Sequence, residues 1–422
     1  MRLLHILAWL AAAGLATVSP SSKPFTRVVD DKWYQTFRKN CAARHPTPTP
    51  EPEIESVFPV INGTMRLGYN GIGTEEIRPI PHVNKMRLTC GVEVGWPPQN
   101  FSLMISTGSA TTWVIGNETI PINYNLLNNR TYYRPWNSTS GNGTVTANYS
   151  FAELYTDGMD VEGVIYRERV RVGKYDGIEL QDQYVGVAKR VHASLTNQSY
   201  FEGVFGLGKT QASGIEPFKL PSFTDTNRSL RKKNTFSLTL KLYGGHIDFG
   251  YLNHSRYSGE LFRVSLDPDH NTAYHVFKAS GYAIGTKPMR IQDFRVAPET
   301  ASSFILLSED MADEYYGEFA PDVEKVDLPG SNTGYIYRCD VVLPDFTLQF
   351  VSDTGARKRF TVPGKDLRYE EVREGMCLGN IMALPPPKSN IAVLGWPFLQ
   401  NKFLHFELDT HIGFANAAEG LE

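Results

Sequence analysis

Ile105-Ser106-Thr107-Gly108-Ser109-Ala110-Thr111-Thr112-Trp113-Val114 is the stretch on which the fold of this chain turns. An apolar run over residues 101–105 leads into it, and a second short apolar run begins at Trp113 and Val114. A Thr-Gly-Ser turn stands between them. Short apolar runs bounded by turn residues read as strand, tight loop, strand. Ser106 is then the first side chain that the loop presents.

The surrounding chain has the composition of an all-β protein. Its 422 residues are enough for two or three lobes with separate cores. Gly (36) and Pro (26) are abundant, and Thr, Val, Tyr and Phe recur in short runs between turn residues. The formal net charge is −3 with acids and bases interspersed, and the sequence has no basic patch or RNA-type motif. Nucleic acid is therefore not an expected partner. His residues are scattered, with no CxxC, HExxH or close His/Asp cluster, so no metal or other cofactor is expected.

The N-terminus reads as a targeting segment. Arg2 precedes an apolar run over residues 3–15, with small residues at 16–19. The run is too short to cross a bilayer and has the three parts of a secretory signal, assigned to residues 1–19. No second stretch is long and apolar enough for a membrane span, and residues 417–422 carry no hydrophobic tail for a lipid anchor. A secreted monomer with no membrane partner is expected, with a vacuole as the other destination. Ten N-x-S/T sequons agree, at Asn62, Asn100, Asn117, Asn129, Asn137, Asn142, Asn148, Asn197, Asn227 and Asn253. Asn100 is the weakest, because a core strand begins beside it at Phe101. Four cysteines, an even number, also suit an oxidising compartment. Cys339 and Cys377 can close a loop of modest length, which leaves Cys41 for Cys90; three connectivities are open.

Residues 20–85 form a leader. His45-Pro46-Thr47-Pro48-Thr49-Pro50-Glu51-Pro52 cannot be helix or central strand and reads as an extended linker. The leader is either a removable prosegment or a permanent arm, and a Cys41–Cys90 bond favours the arm. Two lobes follow, over 86–232 and 233–422. In the first, residues 88–95 alternate as a half-buried strand. Tyr155-Thr156-Asp157-Gly158 is the tip of a hairpin between strands at 144–151 and 163–172. Residues 201–208 are a glycine-punctuated apolar run, a sign of close backbone approach. A short helix is expected around 217–222. In the second lobe, strands are expected at 236–242, 244–250, 274–284, 391–396 and 403–414, with a helix over 307–318.

The halves echo each other. Ser106-Thr107-Gly108-Ser109 pairs with Glu299-Thr300-Ala301-Ser302, and Val204-Phe205-Gly206 with Val393-Leu394-Gly395. Such duplication suggests two similar lobes around a cleft, the usual seat of a binding site.

These motifs together resemble the pepsin-type aspartic proteases (peptidase family A1), nearest the fungal secreted members, over residues 86–418. The opening stretch stands where that family has Asp-Thr-Gly-Ser followed by Trp-Val. Tyr155-Thr156-Asp157-Gly158 resembles the flap, and Phe201-Glu202-Gly203-Val204-Phe205-Gly206-Leu207 resembles the family's Phe-Asp-Gly-apolar-apolar-Gly-Leu run. Cys339 and Cys377 sit where the family has its C-lobe disulfide. The resemblance implies an all-β bilobal fold of two six-stranded-barrel-like lobes, and a peptide or protein as ligand in the cleft.

It also implies a dyad at positions 106 and 299, and both depart from the family. Two aspartates there share a proton, and their like charges split the pKa values. Ser106 cannot act as a carboxylate base. Glu299 keeps a charge but adds a methylene. Pro298 and Ala301 point to a reshaped second loop. Ser109, Tyr155, Asp157 and Ser302 are the residues expected to meet a bound peptide, and Thr107 and Thr300 to hold the loops together. Two functions follow, a secreted pseudoprotease that binds peptide and a weak but true aspartic endopeptidase. Ser106 as a nucleophile lacks the adjacent base and orienting group such chemistry needs.

Overall fold

The computed structural model describes residues 73–79, 88–121, 131–141, 145–155, 160–173, 177–191, 202–228, 233–242, 244–268, 274–317, 319–320, 322–328, 332–384 and 391–419. The 1–19 signal, most of the 20–85 leader with Cys41 and Asn62, and Asn129, Asn142, Asn197 and Asp157 lie outside the described residues.

The opening stretch forms two strands with a loop between. They are β3 (Gln99–Ser106) and β4 (Trp113–Pro121), after β1 (Gly73–Pro79) and β2 (Leu88–Val94). The hairpin follows as β5 (Val145–Leu154) and β6 (Asp160–Val172), then β7 (Ile178–Val191) and β8 (Gly203–Gly206). β8 runs between the two halves of the opening stretch. It is parallel to β3, with Ser106 opposite Gly206, and antiparallel to β4, with Trp113 opposite Val204. The glycines of this run permit that fit: a Cβ on Gly206 would lie 2.7 Å from the Ala110 carbonyl carbon.

The first half closes with β9 (Ile215–Glu216), which pairs with β5, and the second continues with β10 (Thr235–Lys241), β11 (Gly244–Phe249), β12 (Tyr257–Ser265), β13 (Phe277–Ile284), β14 (Arg290–Pro298) and β15 (Ile305–Ser308). Here the same knot recurs. Ile391–Leu394 lies parallel to β14, with Pro298 opposite Leu394, and antiparallel to β15, with Ile305 opposite Leu394. The internal echo in the sequence is thus an echo of topology.

The fold is all-β. By hydrogen bonding the strands of the described residues form continuous sheets of fourteen and eleven strands. The reason lies in long-range pairing. β1 and β2 continue into β11 and β10, and then into Lys402–Glu407 and His411–Ala417, so early, middle and late strands share one sheet. Inward faces carry Ile105, Val114, Phe205, Phe236 and Phe414, all at or near zero exposure. Each such side chain contributes roughly 1.5–3 kcal/mol on burial. A separate cluster under the hairpin holds Met104, Trp113, Phe151 and Ile165.

The helix expected around 217–222 lies elsewhere, at Phe223–Thr226. Pro221 biases the residue before it toward extended backbone, and the helix begins only where Ser222 caps it by accepting from the Asp225 N–H. The helix expected over 307–318 is Glu309–Gly317, because 305–308 belong to β15. Cys339 and Cys377 are disulfide-bonded. Cys90 is buried on β2 opposite Leu103, and its expected partner Cys41 lies outside the described residues.

Candidate active site

The ends of β3 and β14 bring Ser106 and Glu299 together, 193 positions apart in sequence. The Ser106 hydroxyl donates to Glu299 Oε1 at 3.1 Å and accepts from the Ser109 N–H at 2.8 Å. The same Glu299 oxygen accepts from the Ala301 N–H at 2.8 Å. What Ser106 lacks in reach, the extra methylene of Glu299 supplies. Gly108 makes room for this: a Cβ there would lie 1.8 Å from Glu299 Oε2.

Threonines lock the two loops to each other. Thr107 Oγ1 donates to the Pro298 carbonyl at 2.8 Å and accepts from the Thr300 N–H at 3.2 Å, while Thr300 Oγ1 donates to the Ile105 carbonyl at 2.8 Å. All these groups are buried, so each bond also removes a costly orphan. This is the interlocking expected of Thr107 and Thr300. Pro298 has no N–H to give, but its carbonyl serves the opposite loop.

Burial around the Glu299 carboxyl raises its pKa to about 7, against hydrogen bonds from the Ala301 N–H, the Ser106 hydroxyl and the Gly108 and Thr107 N–H groups that favour the charged form. The site therefore holds a carboxyl that changes charge near neutrality, bonded to a hydroxyl that does not.

The flap side is built on Trp113. Its ring is fully buried against Phe151, and its Nε1 donates to the Tyr155 hydroxyl at 2.7 Å. The Ser109 hydroxyl also bonds toward Tyr155 and stands between the flap and the cleft floor. Burial, above all, raises the Tyr155 pKa well above its ordinary value.

Ser302 differs from expectation. Its hydroxyl donates to the Phe304 carbonyl at 2.9 Å inside its own loop, and the residue is buried, so it staples the turn rather than presenting a group to a ligand. Asn227 differs too. It is 0 % exposed, so the fold leaves no room for a glycan on it. Asn100, Asn117, Asn137 and Asn148 are exposed, and Asn253 is half-buried with its Oδ1 accepting from Ser255.

Two site residues escaped the sequence reading. Tyr274 leans over the loop, with its Cε1 3.1 Å from where a Gly108 Cβ would be. Glu153 shares the flap strand with Phe151; alternation along that strand was the available signal.

The fold with its two interlocked loops defines an aspartic-protease-like protein, and comparison agrees. The family model described as eukaryotic aspartyl protease matches residues 89–417, and the chain belongs to that family. Similar proteins include aspergillopepsin-1 of Aspergillus flavus, 28% identical over 353 residues, covering 83% of this chain and 81% of the relative. Aspergillopepsin-1 of Emericella nidulans is 29% identical over 337 residues, covering 78% and 77%. Penicillopepsin-1 of Talaromyces stipitatus is 28% identical over 320 residues, covering 75% of each.

Proposed function

We propose that this chain is a secreted, peptide-binding member of the family in which the two-carboxylate reaction is impaired. The observation that carries this reading is the Ser106–Glu299 hydrogen bond. Peptide hydrolysis by a carboxyl dyad needs one ionised member to take a proton from water and one protonated member to give a proton to the substrate. Ser106 does neither near neutral pH. Loss of acid–base help costs about 10²–10⁴-fold, and the displaced Glu299 oxygens up to ~10²-fold more. The means of holding an extended peptide are retained: the loops are locked, and Tyr155 is anchored on Trp113 at the base of the flap. Ser109, Tyr155 and the flap residue Asp157 are the proposed contacts. The targeting segment and the exposed sequons support secretion, with the ligand met outside the cell or in a vacuole; we take the protein to act as a monomer.

One observation favours the second reading, a weak aspartic endopeptidase. Glu299 titrates at about 7, where an acid–base group is useful. Incubation of the purified protein with denatured casein from pH 3 to pH 8, read by mass spectrometry, separates the two. The binding reading expects intact substrate. Cleavage that is inhibited by pepstatin and lost in Glu299→Gln overturns it.

A further inference from the structure

Phe151 and Glu153 stand on alternate positions of β5, and Tyr155 follows in the same alternation one residue past its end, so the three are placed toward one face. Phe151 and Tyr155 are apolar or amphipathic and meet Trp113. Glu153 between them carries a carboxyl into the same space. It does not enter an apolar void. Glu153 Oε1 accepts from the Gly214 N–H at 2.8 Å, and the hydroxyls of Thr111 and Ser109 bond to the same carboxyl. A Cβ on Gly214 would lie 2.1 Å from the Ala152 carbonyl oxygen and 2.9 Å from Glu153 Cδ, so the glycine lets its N–H approach the flap strand and the acid closely. Thr111 and Ser109 belong to the loop that begins at Ser106.

The connection to the cleft floor is a chain of hydrogen bonds. The Gly214 N–H is shared by Glu153 Oε1 at 2.8 Å and Thr111 Oγ1 at 3.0 Å, the Thr111 N–H donates to Ser109 Oγ at 3.3 Å, the Ser109 N–H donates to Ser106 Oγ at 2.8 Å, and Ser106 Oγ donates to Glu299 at 3.1 Å. Glu153 and Glu299 also act on the same two phenols, since both charges raise the pKa of Tyr155 and of Tyr274. The two carboxyls therefore have two phenols in common.

We propose that Glu153 is the second carboxyl of this site, a flap-strand acid connected through Ser109 to Ser106 that takes the place of the carboxylate missing from the N-lobe loop. It is a positioning residue. It orients Ser109, and through it the Tyr155 hydroxyl, and it holds a proton that Ser106 cannot hold. The groups that face it are Thr111, Ser109, the Gly214 N–H, Tyr155, Tyr274 and, as the cation that favours its charged form, Lys219. Lys219 is exposed and bonded to Glu216 at 3.0 Å, so it neutralises Glu153 only weakly. Burial raises both acids to about 7. On this proposal the two like charges ionise in succession, so the site retains about one proton through neutrality, as a paired-acid site does. The consequence for ligands rests on the peptide-binding reading: a peptide that covers Tyr155 and Ser109 favours the protonated site.

The test begins without ligand. Infrared difference spectra of the protonated-carboxyl band, from pH 5 to pH 8.5, are expected to contain two titrating carboxyls in the wild-type protein. Glu153→Gln and Glu299→Gln should each leave one, titrating at lower pH because its like-charged neighbour is gone. An unchanged Glu299 titration in Glu153→Gln overturns the proposal. Circular dichroism checks that each variant is folded, and Glu153→Asp, which keeps the acid, should restore the second titration. The ligand arm uses pepstatin. Wild-type affinity is expected to fall up to about tenfold per pH unit above the titration, and the Glu153→Gln profile to be flatter. Two carboxyls with no pepstatin binding would sink the peptide-binding reading and leave the second acid standing.

Discussion

At Glu299 one carboxylate performs structural duties that two shared acids would otherwise divide. It bridges the lobes, receives the Ser106 hydroxyl and fills the space that Gly108 leaves open. Gly108→Ala drives a methyl group into Glu299 Oε2, so we expect destabilisation of about 1–3 kcal/mol, seen as a lowered melting temperature. Ser106→Asp with Glu299→Asp restores two carboxyls of equal length to loops whose threonine locks are intact. Cleavage of denatured casein is expected to rise by about 10²–10⁴-fold over wild type. A double variant that folds but gains nothing would mean that the loop around Pro298 and Ala301, not the acids, limits the reaction. Glycan mapping should find occupancy at exposed Asn137 and none at buried Asn227. The dyad positions were legible because loop residues with distinctive neighbours announce themselves. Asn227 was not, because a sequon says nothing about burial. Glu153 was legible only through alternation, which sets a carboxyl on the face of Phe151 and Tyr155, and a carboxyl on an inward face reads locally as a surface residue.

At the scale of elements, the decisive unit is a strand, a loop and a strand with a later strand inserted between them, and the chain builds it twice. Local sequence revealed both copies, since each inserted strand needs a glycine where backbones crowd, at Gly206 and at Gly395. Local sequence did not reveal that β1 pairs with β11, or β10 with Lys402–Glu407. Those partners are far apart in the chain, and strand patterns carry no address for a partner. The Cys339–Cys377 bond acts on another element pair. It ties Cys339 to the β-strand Met376–Gly379 across a separation of 38 residues. Its loss in Cys339→Ser with Cys377→Ser should cost ~4 kcal/mol by loop-closure entropy. The measurement is a denaturant midpoint, and the Ser106–Glu299 geometry should be untouched, because the bond joins Cys339 to the strand at 376–379 and neither lies in the cleft loops. Replacing Thr107 by Val removes the acceptor of the Thr300 N–H and should cost about 1–3 kcal/mol.

For the whole molecule, the shifted groups pull stability in opposite directions with pH. Glu153 and Glu299 have pKa values raised by burial from 4.5 to about 7. The folded state holds their protons where the unfolded chain has released them. Their contribution is therefore full below about 4.5 and is lost as pH rises through about 7. His275 and His405 behave in the opposite way. His275 is enclosed by Phe236 and Phe406, with Nε2 3.2 Å from the Leu207 carbonyl, and His405 is buried against Ser237. Burial lowers both from 6.5 to about 4. Their contribution is full above 6.5 and is lost as pH falls toward about 4. The two displacements are similar in size and opposite in sign, so between pH 4.5 and pH 6.5 they offset each other. The wild-type melting temperature should be nearly flat across that window. Glu153→Gln with Glu299→Gln removes one side of the balance, and its melting temperature should climb as pH rises through the window. His275→Asn should tilt the curve the other way, toward greater stability in acid. If the wild-type curve already climbs as steeply as that of the double glutamine variant, the carboxyls are not buried proton holders and the site is not the one described.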